Sequence, residues 1–272
     1  METIITDAHE RSSLLNQIWR MVATGLCFML FGIGGLFMST FWFPLLHLVV
    51  KDRQRCTRLT QNSIRFSFQC LLRLMRLLGC MDYQFYGIDK LQQDSGCIVV
   101  ANHPSLLDYV FLASVMPRCD CIVKQKLLSN PFVRGVILAA GYIANSEPDA
   151  LLSECKNKLD QQGIILIFPE GTRSTLGEEM HLQRGAANIA LRCRVNIRIV
   201  NIQCDQPMLT KQRKWYNLLP KKPLFQIVVK ERIGVNDYIA DGDASPAIAA
   251  RHLTQLLNKK LQPEPAQTNE KK

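Results

Sequence analysis

The sequence predicts an α/β fold, in which a mixed, partly parallel sheet is flanked by helices and preceded by a membrane-directed helical segment. Two observations carry this prediction. In residues 81–261, short apolar runs typical of buried strands alternate with longer segments of helical periodicity, which is the pattern of an α/β layer. Before them lies a long stretch without a charged residue.

The uncharged stretch runs from Met21 to Val50 and is long enough to cross a bilayer, for which about 20 apolar residues suffice. It favours either a single spanning helix or two shorter helices that enter the membrane and return. Four cations follow closely: Lys51, Arg53, Arg55 and Arg58. If the segment spans once, this positive charge places the downstream residues in the cytoplasm. Residues 1–60 are therefore predicted to form a membrane anchor with a basic flank.

Residues 61–80 have the pattern of a basic amphipathic helix. Its apolar and basic residues recur at helical spacing: Leu71, Leu74, Met75 and Leu78, with Arg65, Arg73 and Arg76. Such a helix lies in the membrane interface or covers the core of the domain that follows it. The anchor just upstream favours the interface.

Residues 81–261 are predicted to form the α/β domain. The predicted strands are Tyr83–Tyr86, Cys97–Ala101, Cys121–Lys124, Ile164–Phe168, Ile197–Gln203 and Phe225–Val229. The predicted helices are Ser105–Met116, Asn130–Ala140, Pro148–Gln162, Arg184–Arg194 and Ala247–Leu261. The polar, proline-containing tail at 262–272 is expected to be disordered.

Composition narrows the classes of partner. The chain has 33 Lys and Arg against 23 Asp and Glu, a net charge of +10, which suits an anionic membrane, nucleic acid or an acidic carrier protein. Nucleic acid is not expected, because no nucleic-acid-binding module is recognisable and basic residues gather beside the apolar segment. The ten cysteines contain no Cys-x-x-Cys pair. This argues against a zinc site and is typical of free thiols in a reducing compartment.

A polar turn follows the apolar strand Cys97–Ala101 and reads Asn102-His103-Pro104-Ser105-Leu106-Leu107-Asp108. Asp108 lies about one helical turn into the next helix and can point back at the imidazole of His103. A carboxylate on one ring nitrogen fixes the tautomer and leaves the other nitrogen as a base. His103 is the candidate base and Asp108 its partner. Asn102 can brace the turn and Ser105 can cap the helix.

A second polar turn follows the strand Ile164–Phe168 and reads Phe168-Pro169-Glu170-Gly171-Thr172-Arg173-Ser174. Pro169 and Gly171 predict a sharp turn. Arg173 offers a planar donor fork suited to phosphate. Glu170 can accept from a ligand hydroxyl or orient Arg173, and a simple salt bridge between these two side chains is the alternative. Both turns follow strands, where open α/β sheets bind ligands.

The Asn-His-x-x-x-x-Asp turn, followed about 60 residues later by Phe-Pro-Glu-Gly-Thr-Arg-Ser, is similar to the lysophosphatidic acid acyltransferase (PlsC-like) superfamily of glycerolipid acyltransferases. The resemblance implies the glycerolipid acyltransferase fold and O-acyl transfer to a lysolipid hydroxyl. The donor would be an acyl carrier protein thioester or acyl-CoA. It further implies a cytoplasmic-membrane enzyme whose catalytic domain faces the cytoplasm, without cofactor, metal or acyl-enzyme.

Under this resemblance, His103 deprotonates the acceptor and Asp108 orients His103. Substrate-positioning roles fall on Asn102, Glu170, Gly171, Thr172 and Arg173, with Arg173 on a phosphate.

Two departures from the family pattern bear on the acceptor. The stretch Gly141–Glu147 ends in Glu147 where the family often has an Arg that contacts the acceptor phosphate, and Asn201 replaces a frequent Pro. A carboxylate at position 147 repels a phosphate monoester and favours an amine-bearing or uncharged acceptor. The alternatives are therefore an acyltransferase for a non-phosphate or amino-acid-containing lysolipid, a non-catalytic lipid-binding membrane protein, and a thioesterase.

Overall fold

In a computed structural model, the described residues are 12–129, 131–145, 147–175, 179–239 and 245–262. The predicted disordered tail lies outside this part of the chain, apart from Gln262. The helices are α1 (Leu14–Phe37), α2 (Phe43–Val49), α3 (Arg53–Leu77), α4 (Ile88–Gln93), α5 (Asp108–Val115), α6 (Pro131–Ala140), α7 (Pro148–Asp160), α8 (Gly185–Cys193), α9 (Asn236–Ile239) and α10 (Pro246–Leu261). The strands are β1 (Asp82–Tyr86), β2 (Cys97–Ala101), β3 (Asp120–Lys124), β4 (Ile143–Asn145), β5 (Ile164–Ile167), β6 (Ile197–Cys204) and β7 (Leu224–Ile233).

Within the described residues, these strands form one sheet in the order β1-β7-β6-β2-β5-β3-β4. Neighbouring strands run parallel except β6 and β7, which pair antiparallel. The predicted mixed sheet flanked by helices is confirmed. Because parallel strands end at the same edge of a sheet, the two polar turns that follow β2 and β5 lie side by side.

Strand β2 shows how helices cover both faces of the sheet. Cys97, Val99 and Ala101 join the core beneath α3 and α5, whereas Ile98 and Val100 join the core beneath α7, α8 and α10. A strand that is buried on both faces needs a continuous apolar run, and Cys97–Ala101 is such a run.

The apolar N-terminal segment is one helix from Leu14 to Val49, in which a π-helical stretch, Met38–Trp42, joins α1 to α2. By length and composition this helix can cross a membrane. It contains no internal return, since the chain reverses only after Val49 and comes back as α3. The predicted boundary between residues 60 and 61 falls inside α3.

Two indole N–H groups fix the antiparallel contact between α1–α2 and α3, which together we call the hairpin. Trp19 Nε1 donates to the Leu78 carbonyl over 2.9 Å, and Trp42 Nε1 donates to Ser63 Oγ over 2.9 Å. Between the two limbs lies an apolar groove of about 680 Å³. Phe31 and Phe68 stack beneath it, with ring centroids 5.7 Å apart.

The remaining differences from the predicted elements concern short pieces and boundaries. The three-residue strand β4 and the one-turn helices α4 and α9 were not predicted, since so few residues carry no readable period. Strand β7 continues to Ile233, beyond the predicted end at Val229, because its charged residues 230–232 lie beside β6 near the edge of the sheet.

Candidate active site

His103 and Asp108 meet at the carboxyl end of β2. His103 Nδ1 lies 2.9 Å from Asp108 Oδ2. The Asp108 carboxyl is fully buried, whereas the His103 side chain is 19% exposed. Solvent therefore reaches the imidazole but not the carboxyl. Nε2 of His103 bonds to no residue in the described ranges. A carboxyl group beside Nδ1 favours the tautomer in which Nδ1 donates to it, and Nε2 is then the ring nitrogen open to a ligand.

The backbone of the same turn holds Asp108 in place. Asp108 Oδ2 also accepts the Ser105 backbone N–H over 2.7 Å, while no described group bonds to Oδ1. Burial raises the pKa of Asp108 to about 6, although the hydrogen bond and positive charge of His103 and the Ser105 amide act in the opposite direction. Burial therefore disfavours the ionised carboxyl, and its bonds to His103 and to the Ser105 amide favour it.

Ser105 does not cap a helix that starts beside it, because α5 begins only at Asp108. Its hydroxyl donates to the Met208 carbonyl over 3.0 Å and accepts the Leu107 N–H over 3.3 Å. Ser105 therefore ties the His103 turn to the segment after β6, rather than opening the helix.

Glu170 joins the two polar turns. Its Oε1 accepts the His103 backbone N–H over 2.8 Å and the Ser174 hydroxyl over 2.9 Å. The Ser174 backbone N–H donates to the His103 carbonyl over 2.7 Å. These three bonds lock the backbone of His103 from the β5 side. Glu170 does not pair with Arg173 among the described ion pairs, so neither the salt-bridge alternative nor a role in orienting Arg173 is supported.

The second turn has the sharp shape that its sequence predicts. Gly171 adopts a φ of +67° and its N–H donates to the Phe168 carbonyl over 3.1 Å. A Cβ at this position would lie 2.6 Å from Gln183 Nε2, the end of a side chain that can move aside, so the positive φ is what favours glycine. The turn leaves the Phe168 ring stacked on the His103 imidazole, with centroids 4.2 Å apart.

Arg173 is half-buried and bonds to the segment that follows β6. Its Nη1 donates to the carbonyls of Leu209 and Thr210, over 2.9 and 3.1 Å. The segment after β6 is thus bonded to both turns, since the Leu106 N–H also donates to the Leu209 carbonyl. The predicted contact of Arg173 with a phosphate remains a prediction, with Nη2 and Nε as the donors that these two bonds leave over.

Three further predicted site residues lie at different distances from this centre. Asn102 is buried and bridges β2 to β6, with Nδ2 and Oδ1 bonded to the carbonyl and N–H of Ile202 over 2.8 and 2.7 Å. These bonds brace the turn and leave over one N–H on Nδ2 and one lone pair on Oδ1. Thr172 is exposed beside Arg173. Glu147 is exposed at the start of α7, at the same sheet edge but three strands from β2, about 14 Å away.

Comparison with known proteins gives this constellation a family. Residues 82–204 match the family model described as Acyltransferase. The chain is also 37% identical over 162 residues to a 1-acyl-sn-glycerol-3-phosphate acyltransferase of Helicobacter pylori, a match that covers 56% of this chain and 64% of the relative. Residues 82–204 are therefore similar to the Acyltransferase family, and the longer matched part of the chain is similar to a 1-acyl-sn-glycerol-3-phosphate acyltransferase.

Two further relatives carry the same activity in their names. Human 1-acyl-sn-glycerol-3-phosphate acyltransferase beta is 30% identical over 42% of this chain and 46% of its own length. A Pseudomonas aeruginosa 1-acyl-sn-glycerol-3-phosphate acyltransferase is 27% identical over 57% and 59%, respectively. The chain spans less than two thirds of the length of each of these three relatives. The crystal structure of the LPA acyltransferase PlsC from Thermotoga maritima shares the fold, with a TM-score of 0.66 at 19% identity, covering 91% of this chain and 99% of that one.

The sequence analysis assigned no role to two side chains and one backbone carbonyl that contribute to the site. Ser174 and Phe168 were quoted as parts of the second motif, yet no role was assigned to either, although one locks the His103 backbone and the other stacks on its ring. Their places inside the motif were the available signal. The contribution of Leu209 carried none, because a backbone carbonyl has no side-chain signature.

Proposed function

We propose that this PlsC-like protein is a membrane-bound O-acyltransferase. It transfers a fatty acyl group from the thioester of acyl-ACP or acyl-CoA to the hydroxyl of a lysolipid, 1-acylglycerol-3-phosphate or a related one, with His103 as general base. The observation that carries the proposal is the His103–Asp108 pair, in which a buried carboxylate holds Nδ1 and Nε2 is left open. The three relatives named above bear the same reaction in their names.

The step that follows from this geometry is direct transfer. His103 Nε2 takes the proton of the acceptor hydroxyl as its oxygen bonds to the thioester carbonyl carbon. When the C–S bond breaks, the imidazolium returns that proton to the departing thiolate. Asp108 stabilises the imidazolium between the two transfers, because its carboxylate lies 2.9 Å from Nδ1. Proton and acyl group both balance without an acyl-enzyme.

The hairpin supports a membrane location for this reaction. The helix Leu14–Val49 is apolar and long enough to span, and many of its large apolar side chains are exposed, among them Leu15 and Leu48 at 79% and 80%. Contiguous exposed apolar surface of this kind suits lipid. The cations from Lys51 to Arg58 favour a catalytic domain on the cytoplasmic side of the cytoplasmic membrane.

A second candidate acceptor is favoured by Glu147. This side chain is exposed at the edge of the sheet that carries His103, about 14 Å from β2 by the spacing of the strands between them. A carboxylate there repels phosphate and attracts an ammonium group. The candidate is therefore an amino-acid-containing lysolipid.

The test of the proposed reaction is His103→Ala in the full chain, with His181→Ala as control because His181 is exposed and outside the site. Membranes receive acyl-ACP or acyl-CoA with a lysolipid, and both acylated lipid and free fatty acid are measured. We expect at least a thousandfold loss of acylated lipid for His103→Ala, about 4 kcal/mol in the barrier, and none for the control. Undiminished transfer contradicts the role of His103, and fatty acid without acylated lipid selects a thioesterase.

Glu147→Arg tests the acceptor. If Glu147 faces the head group, this variant gains activity with 1-acylglycerol-3-phosphate relative to an amine-bearing lysolipid. An unchanged ratio of the two activities removes Glu147 from the acceptor site.

A further inference from the structure

After Asp205, the rest of the segment between β6 and β7, residues 206–223, is strongly basic. It contains Lys211, Arg213, Lys214, Lys221 and Lys222 and neither Asp nor Glu; we call it the basic loop. Lys222 is partly neutralised by Asp82, 3.3 Å away. The first three cations are exposed and pair with no acidic group in the described ranges. Their charge is therefore available to a partner of opposite sign.

Aromatic and apolar side chains share this surface with the cations. Trp215 is 50% exposed and packs edge-to-face with Tyr216, over which the Lys214 ammonium lies at 5.5 Å. Leu218 is exposed nearby. Rings, cations and apolar side chains at one depth are the composition of proteins at a membrane–water interface.

The basic loop is seated on the apolar helix α1. Arg20 Nη2 donates to the Leu219 carbonyl over 2.7 Å, and the Ser12 N–H donates to the Pro220 carbonyl over 3.0 Å. The Trp215 ring lies against Gly25, so closely that a Cβ there would be 2.9 Å from the ring. Loop and helix are thus held in one arrangement.

The part of α1 beside the loop exposes large apolar side chains, and the end of α3 adds one more. These are Leu14, Leu15, Ile18, Trp19 and Leu77. The basic loop therefore borders an apolar surface that a lipid phase would cover, rather than a polar surface facing water.

The other end of the loop's backbone is bonded to the catalytic turns. Met208 and Leu209 accept from Ser105 and from the Leu106 N–H, and Arg173 donates to Leu209 and Thr210. One continuous segment thus joins the helix, the cationic surface and the His103 turn.

We infer that the basic loop is a docking surface for anionic lipid head groups, placed beside α1 so that the opening at His103 faces a negatively charged bilayer. This inference rests on the proposed membrane location. Charge complementarity selects an anionic surface, and the apolar and aromatic side chains among the cations select a lipid surface over an acidic protein.

The test compares the full-length protein with the triple variant Lys211→Gln, Arg213→Gln, Lys214→Gln. The control is Lys156→Gln, Arg192→Gln, Arg251→Gln, an equal loss of charge from exposed positions on α7, α8 and α10, across the sheet from the hairpin. Partitioning is measured into vesicles of phosphatidylcholine alone and of phosphatidylcholine mixed with phosphatidylglycerol. The ratio of the two partition coefficients removes the contribution of α1.

Each cation near an anionic surface contributes about fivefold to partitioning, so the triple variant is expected to lower this ratio at least about tenfold at low salt. The control keeps the ratio of the native chain. A loop variant that keeps it too, while circular dichroism shows an intact fold, overturns the inference.

A second measurement leaves the cations in place. In Trp19→Phe, Trp42→Phe protein, Trp215 is the remaining tryptophan, and lipids brominated near the head group should quench its fluorescence in the mixed vesicles. Unquenched emission overturns the inference. A second outcome also overturns the inference. If the triple variant keeps the ratio of partition coefficients but no longer prefers acyl-ACP to acyl-CoA, the surface binds the carrier protein instead. Neither vesicle partitioning nor Trp215 quenching depends on turnover. If the protein binds vesicles but transfers no acyl group, only the proposed reaction is contradicted. If it binds neither type of vesicle, the proposed membrane location is contradicted.

Discussion

The two polar turns that follow β2 and β5 are stabilised by different interactions from those that stabilise the hairpin. At the end of β2, directional hydrogen bonds from Asp108, Glu170 and Ser174 fix the ring and backbone of a single residue, His103. In the hairpin, two indole N–H bonds and a few ring contacts join limbs that otherwise pack through apolar side chains around a groove of about 680 Å³. The position of the side chains is thus specified closely at His103, the candidate base, and loosely where the surroundings are apolar. Substitutions in the first region should affect turnover, and those in the second stability.

Asp108→Asn should separate the effect on turnover from the effect on stability most strongly. We expect a loss of acyl transfer of about a thousandfold, because the amide neither fixes the tautomer nor stabilises the imidazolium. Stability at pH 8 should not fall, because the substitution removes a buried charge. Turnover and thermal unfolding in detergent measure the two effects. Asp89→Asn is the matched control, since Asp89 is exposed in the first turn of α4. If both variants have comparable activity, the bond from Asp108 to His103 does not determine turnover.

Phe68→Ala should show the opposite behaviour. Phe68 is buried between Phe31 and the edge of Tyr109, so truncation is expected to cost about 3 kcal/mol of unfolding free energy. Turnover per folded molecule should stay within about twofold. Phe66→Ala, on the same helix but 63% exposed, should change stability by less than about 1 kcal/mol. Equal destabilisation by both variants would show that burial does not decide stability in the hairpin.

Glu170→Ala should lower kcat by about thirtyfold, near 2 kcal/mol, with a smaller change in KM. It leaves the His103 ring bonded to Asp108 but removes one of the two hydrogen bonds between the His103 backbone and the second turn, since the Ser174 N–H still donates to the His103 carbonyl. Glu179→Ala, exposed in the same connection, should leave kcat unchanged. If Glu170 instead binds substrate, KM rises and kcat is kept.

The smallest expected effect is on the pH dependence of stability. Because burial raises the pKa of Asp108 to about 6, its contribution to stability is present below the unfolded pKa of about 4 and is lost as the pH rises through 6. Between pH 8 and pH 5, the native chain should therefore gain about 1 kcal/mol of unfolding free energy relative to Asp108→Asn. Denaturant titrations of both proteins at the two pH values measure this difference. A loss instead of a gain would mean that the charge of His103 outweighs burial.

The sequence predicted the catalytic turns better than their surroundings. Apolar runs as continuous as Cys97–Ala101 and Ile164–Ile167 could only be buried strands, and the polar residues that follow them had to share an edge once the strands were parallel. Local spacing then sufficed to bring Asp108 to His103.

Long-range partners could not be predicted. That Arg173 would bind the carbonyls of Leu209 and Thr210 depends on where the segment after β6 returns, which no local pattern records. The start of α1 at Leu14 could not be predicted for a different reason, since the uncharged stretch begins only at Met21. The absence of charged residues indicates which part of the chain can lie in lipid. The residue at which the helix begins is set by the Ser13 cap, whose Oγ accepts the Asn16 N–H.

The pairing of β1 with β7 has a consequence for biosynthesis. Asp82 at the sheet margin finds its partner in Leu224, which a ribosome adding 5–20 residues each second delivers on the order of ten seconds later. During that interval β1 is an unpaired edge, and the His103 turn still lacks the carbonyls of Met208 and Leu209. A nascent chain interrupted before β7 thus combines an open strand edge with an unfinished catalytic turn, so such fragments should aggregate or be degraded rather than act as partial enzymes.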